Sequence, residues 1–182
     1  TGNGHAPPSL DGAFLAIPTY REATDDFVVS VRDLSSGDST EHVLGTGSDE
    51  VMDLVLRAFV RPGDGVINCP PTFGMYPFLT RVLGAEVVDV PRRDDFSLDL
   101  SGIEQAVPQA KLIFVAAPNN PTGWTLTLTE QEAILAHCRR TGTWIVADEV
   151  YERIWFGPGR AAPSFLDIAE PADRLVVAQS FS

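Results

Sequence analysis

From about Val43 onward, short apolar runs alternate with stretches whose apolar residues recur every three or four positions. That alternation is the pattern of strand–helix units feeding a mostly parallel sheet. The runs 65–69, 86–90, 111–116, 143–147 and 174–178 read as strands. Lys111 to Ala117 is nearly all apolar, as a strand covered on both faces requires, so it is placed centrally. Between the runs, 48–60 sets Val51, Leu54, Val55, Ala58 and Phe59 at helical spacing, with Ser48 as N-cap and Asp49 and Glu50 in the first turn. Arg61-Pro62-Gly63 stops that helix. Thr129-Glu130-Gln131-Glu132 has capping-box spacing and opens a second helix through Ile134, Leu135 and Cys138 to a stop at Gly142. The predicted fold is three-layer α/β: a mostly parallel sheet with helices on both faces. Residues 1–9, rich in Gly and Pro, read as an extended arm, and 33–40 as a polar loop.

Composition narrows the partners. The chain has 182 residues, 44% of them hydrophobic, enough for one sizeable core. Its formal net charge of -12 argues against nucleic acid or an anionic membrane as partner, because neither gains counterion-release or surface-potential energy from an acidic protein. Small molecules are the expected ligands. Cys69 and Cys138 lack CxxC spacing and read as two reduced core thiols of a cytoplasmic protein. His5, His42 and His137 show no metal spacing, so no metal is expected. No apolar run approaches the roughly 18 residues that would span a bilayer.

Four segments carry candidate chemistry. Gly45-Thr46-Gly47-Ser48-Asp49-Glu50 is a glycine turn into a helix, whose free N–H groups and dipole suit an anion. A dinucleotide fingerprint would need Gly in place of Glu50, and a P-loop would need a Lys that is absent. Taken alone, a plain turn with an N-cap fits as well. Pro118-Asn119-Asn120-Pro121-Thr122-Gly123 is either a rigid loop or a ligand loop. Asp148 closes the apolar run 143–147, where an unpaired carboxylate is costly and calls for a cationic partner. Ser180-Phe181-Ser182 follows the last predicted strand.

Pro118–Gly123, then Ala147-Asp148-Glu149-Val150-Tyr151, then Ser180-Phe181-Ser182, in that order, resemble the pyridoxal 5'-phosphate (PLP) site of class I/II, fold-type-I aminotransferases, nearest to the histidinol-phosphate type. The resemblance spans about Leu44 to Ser182 and implies a residue-by-residue assignment. Gly47, Ser48 and Asp49 would hold the cofactor phosphate, completed by Ser180 and Ser182. Phe73, in the Pro-Thr-Phe segment 71–73, would stack on the ring. Asp148 would pair with the pyridine nitrogen and keep it protonated. Asn120 and Tyr151 would donate to the phenolate oxygen. Asp148 and Tyr151 are thus the catalytic candidates present, and the Schiff-base lysine is expected immediately after Ser182. The resemblance further implies a homodimer in which Tyr20 reaches the partner's cofactor phosphate, residues 1–42 as an arm and interface segment, 43–182 as the PLP-binding large domain, and a smaller domain beyond Ser182. The expected activity is amino-group transfer between an amino acid and a 2-oxo acid. A lyase or decarboxylase on the same motifs, or a non-catalytic PLP-binding fragment lacking the lysine, are the alternatives.

Overall fold

The computed structural model describes residues 14–21, 26–33, 39–44 and 48–179, with side chains described from 49 to 179. Eight strands form one sheet in the order β3-β2-β1-β8-β7-β6-β4-β5. Its larger part, β4 (Gly65–Asn68), β5 (Glu86–Asp89), β6 (Ala110–Ala116), β7 (Trp144–Asp148) and β8 (Leu175–Ala178), is wholly parallel. These five coincide with the predicted runs to within a residue or two. β6 lies between β4 and β7, the central place that its apolar run demanded.

Side-chain alternation along the strands builds two cores. Leu112, Phe114 and Ala116 of β6, Trp144 and Val146 of β7, and Val176 and Ala178 of β8 share one face with helices α1 (Ser48–Phe59) and α2 (Met75–Val82). Ile113, Val115, Ile145, Ala147, Leu175 and Val177 share the other with α3 (Leu100–Ala106) and α4 (Leu128–Thr141). This period of two is what a strand covered on both faces requires. Each fully buried Ile, Leu or Val here contributes about 1.5–3 kcal/mol of transfer free energy. The sheet is therefore a firm base for the loops that leave its carboxyl edge.

Several local expectations change. In α1 the buried stripe is Val51, Met52, Val55 and Leu56, while Leu54 is 41% exposed. Helix α4 begins two residues earlier than the Thr129 capping box: Thr127 is the N-cap, its hydroxyl accepting from Glu130 N–H while the Glu130 carboxylate accepts from Thr127 N–H. Gly142, at φ 73°, closes α4 in the left-handed conformation as expected. Helix α2 was not predicted as an element, because Pro77 breaks its pattern. Pro77 sits in the first helical turn, where no intrahelical N–H bond is lost. Before Val43 the sequence suggested little regular structure. The chain there forms β1 (Phe14–Arg21), β2 (Asp26–Asp33) and β3 (Ser39–Leu44), with β1 parallel to β8 and β2 and β3 antiparallel beyond it. Pro18 is accommodated because β8 pairs only with 14–16, which leaves β2 as its sole flanking strand. Of the predicted polar loop 33–40, Asp33, Ser39 and Thr40 belong to strands, and 34–38 lie outside the described residues. The predicted arm 1–9 lies outside the described residues.

Candidate active site

Strands β4, β6 and β7 are neighbours, so the loops leaving their carboxyl ends meet above one stretch of sheet edge. That is where open α/β sheets place ligands. The pocket there is lined by Phe73 from the loop after β4, Ala116 and Asn120 from the end of β6 and its loop, and Asp148 and Tyr151 from β7 and its continuation.

Asp148 is the last residue of β7 and only 7% exposed. Its register neighbours are Ala116 and Ala178, whose small side chains leave room around the carboxylate. Alternation puts it on the α1/α2 side, where the phenol of Tyr76 donates a hydrogen bond to Oδ2 and Val150 N–H makes a 3.4 Å contact with Oδ1. Burial pushes the Asp148 carboxyl above the usual carboxylate range, opposed by the Tyr76 and Val150 hydrogen bonds and reinforced by the charge of Asp49. Among the described residues no arginine or lysine forms an ion pair with it. A buried carboxylate with a second acid nearby and no cation is a place for a cationic ligand group.

The two loops beside it are tied together by Asn119, not Asn120. The buried Asn119 amide donates to Pro71 O (3.1 Å) and Thr122 Oγ1 (2.8 Å), and its oxygen accepts from Thr72 Oγ1 (2.8 Å). Gly123, at φ 71°, lets the loop turn back so that its N–H reaches Asn119 O at 2.7 Å. Asn120 faces the pocket, and among the described residues its amide has no hydrogen-bond partner. The Asn-Asn pair thus divides into a structural tie and a free donor. Phe73 is half-buried at the pocket wall, edge-on to Tyr76 with centroids 5.6 Å apart. Tyr151, 39% exposed, closes the pocket from the opposite loop.

The structure therefore brings Phe73, Asn120, Asp148 and Tyr151 together as predicted. Asp49 lies in the first turn of α1 and is felt by Asp148. What it can offer an anion is its backbone N–H, since its carboxylate repels one. Ser48 opens the same helix, with only its backbone described, and Tyr20 lies in β1 on the same terms. Gly47, Ser180 and Ser182 lie outside the described residues.

Sequence reasoning missed Tyr76 and Glu149. Tyr76 follows Phe73 by three residues, a helical spacing hidden by the surrounding Pro and Gly. Glu149 follows Asp148 and so points to the opposite face of the sheet, where it accepts from Ser164 Oγ (2.6 Å), Phe165 N–H (2.9 Å) and Gln179 Nε2 (3.3 Å). It is fully buried, and that burial pushes its carboxyl up to about 7. Both cysteines are buried and their thiols are pushed up to about 12 by that burial, as inert core residues are. Among the described residues no cluster of His, Cys, Asp and Glu could hold a metal, and no helix is long and apolar enough to cross a membrane.

A doubly covered parallel sheet with an aromatic wall, a free amide and a cation-seeking carboxylate at its carboxyl edge defines the large domain of a cofactor-dependent α/β enzyme family. Residues 13–182 match the family described as aminotransferase class I and II, and the chain belongs to it. A histidinol-phosphate aminotransferase from Roseiflexus castenholzii is 42% identical over 142 residues, 77% of this chain and 36% of that protein. Among solved structures, N-succinyldiaminopimelate aminotransferase from Mycobacterium tuberculosis is similar with a TM-score of 0.66 and 29% identity, covering 72% of this chain and 35% of that one. An aromatic aminotransferase from Pyrococcus horikoshii gives 0.68 and 26%, covering 75% and 37%. The chain thus spans about a third of the length of the curated relatives it matches, 36% in the first case. The described pocket fits PLP: Asp148 suits a protonated ring nitrogen, Phe73 a ring face, and the Asn120 amide a phenolate.

Proposed function

We propose that this chain forms the PLP-binding part of an aminotransferase that moves an amino group between an amino acid and a 2-oxo acid, of the histidinol-phosphate or aromatic type. The observation that supports this reading most is Asp148, buried at the end of β7 beside Phe73, Asn120 and Tyr151 with no cation paired to it among the described residues. When bound, PLP supplies an electron sink for the bonds at the substrate's α-carbon. Asp148 holds a proton on the ring nitrogen, which keeps that sink cationic. Phe73 covers one ring face and fixes its plane. Asn120 and Tyr151 donate hydrogen bonds to the phenolate oxygen. The backbone N–H groups at the start of α1, with Gly47, Ser48, Ser180 and Ser182, take the phosphate, helped by the positive end of the helix. The lysine expected after Ser182 moves the proton at the substrate's α-carbon. The protein acts as a cytoplasmic homodimer in which Tyr20 reaches the partner's phosphate site.

The test is the full-length protein loaded with PLP and offered histidinol phosphate or an aromatic amino acid with 2-oxoglutarate. Stoichiometric glutamate formation is expected. Release of free ammonia or carbon dioxide without glutamate would overturn transamination in favour of lyase or decarboxylase chemistry.

A further inference from the structure

Tyr76 is 1% exposed and sits where three features of the site meet. Its ring stacks on Phe114 of β6, with centroids 4.5 Å apart and planes 4° from parallel, and meets the edge of Phe73. Its backbone carbonyl accepts from Thr80 Oγ1 at 2.7 Å, which secures the first turn of α2. Its hydroxyl donates to Asp148 Oδ2. Ring and hydroxyl thus do separate jobs: the ring belongs to the core, while the hydroxyl ends on the pocket carboxylate of Asp148.

We propose that Tyr76 is a positioning residue for Asp148: its phenol O–H fixes the carboxylate's orientation and favours its ionised form, so that the site presents a single aligned acceptor to a cationic ring nitrogen. This rests on the reading of Asp148 given under the proposed function. A carboxylate that rotates freely in a buried pocket, or takes up a proton there, offers no such acceptor. The phenol opposes protonation because its hydrogen bond to a charged carboxylate oxygen is stronger than the one it would make to a neutral carboxyl oxygen. The other charged groups that bear on this pair are Asp49 from α1, which raises the proton affinity of both, and Arg92 from the segment after β5, which acts on Tyr76 in the opposite sense. Burial and the neighbouring Asp148 charge hold the phenol far above its ordinary range, so it stays a donor at every working pH.

The test uses the full-length protein and pyridoxamine 5'-phosphate, which binds without a covalent bond and so reports on the pocket alone. Its affinity is measured against pH for wild type, Tyr76→Phe, Asp148→Asn and the double variant. Wild type should lose affinity on an acid limb as Asp148 takes up a proton. Tyr76→Phe keeps the ring and its stacking, and its limb should move up by about one pH unit, with affinity on the limb down about ten-fold. In the Asp148→Asn background the same change should have no further effect. Replacement of Tyr76 by 3-fluorotyrosine, a stronger donor of the same shape, should move the limb down, and this remains informative where Tyr76→Phe fails to fold. A Tyr76→Phe profile that superimposes on wild type, or a fluorotyrosine limb that does not move down, overturns the positioning role. If Asp148→Asn itself binds with wild-type affinity and pH profile, the reading of Asp148 falls, and this inference falls with it.

Discussion

Glu149 gives the most direct physical test of this architecture. It is fully buried, accepts three hydrogen bonds, and still has its carboxyl pushed from an ordinary 4.5 to about 7, with burial the largest cause and the charge of Glu152 adding to it. The folded protein therefore binds this proton more tightly than the unfolded chain does. Stability from this group is fully present below pH 4.5 and is lost as pH rises through about 7. At about 1.4 kcal/mol per pH unit, the gap amounts to about 3 kcal/mol. Glu149→Gln is nearly isosteric and never ionises. Its oxygen can accept from Phe165 N–H and its amide can donate to Ser164 Oγ, which already accepts from Leu166 N–H at 3.1 Å and has a second lone pair. Gln179 must turn its amide, at the cost of about one hydrogen bond or 1 kcal/mol. Urea unfolding of the apo protein between pH 4.5 and 8.5 should show the variant slightly less stable at the acid end and more stable at the alkaline end, the difference growing by about 3 kcal/mol across the range. The raised Asp148 carboxyl contributes to both proteins and cancels to first order. Two parallel stability curves would refute the reasoning, since they would mean that Glu149 is ionised in the fold throughout.

Three further outcomes are expected. Asp148→Asn should keep the fold but lower kcat for transamination by roughly 10²–10³, as loss of an electrostatic stabiliser does, and near-wild-type turnover would sink its assignment to the ring nitrogen. Borohydride reduction of the PLP-loaded full-length protein, followed by peptide mapping, should place the label on a lysine directly after Ser182; label on another lysine would remove Ser180-Phe181-Ser182 from the site. Asn119→Ala deletes the two side-chain hydrogen bonds that tie the pocket loops together, to Pro71 and from Thr72, and a third within its own loop, to Thr122; it should destabilise by about 2–3 kcal/mol while weakening pyridoxamine 5'-phosphate binding, whereas a loss of stability with unchanged binding would show that the loops hold the pocket without this tie.

What could be read from the sequence follows from the range over which each signal acts. Strands β4, β6, β7 and β8 were legible because burial on both faces forces a near-continuous apolar run, which neighbouring elements cannot disguise, whereas the part-exposed edge strand β5 was legible from Val87, Val88 and Val90. Phe73, Asn120, Asp148 and Tyr151 were grouped in the sequence by the family resemblance of their motifs, and strand order and register are what carry those motifs to one edge of the sheet. Strands β1 to β3 were not, since Pro18 and the charges of β2 weaken the alternation, and their place is fixed by pairing with β8, more than 150 residues away in the chain. The partners of the two buried acids were hidden for the same reason. Asp148 and Glu149 are adjacent in sequence, but the strand's alternation sends one to Tyr76, 72 residues earlier, and the other to Ser164, 15 residues later. One carboxylate thereby faces the ligand pocket while its neighbour anchors the loop below the sheet. The pair Asp-Glu alone does not say which does which; the parity of β7, set by Trp144 and Val146 packing against α1 and α2, is what turns Asp148 toward the site.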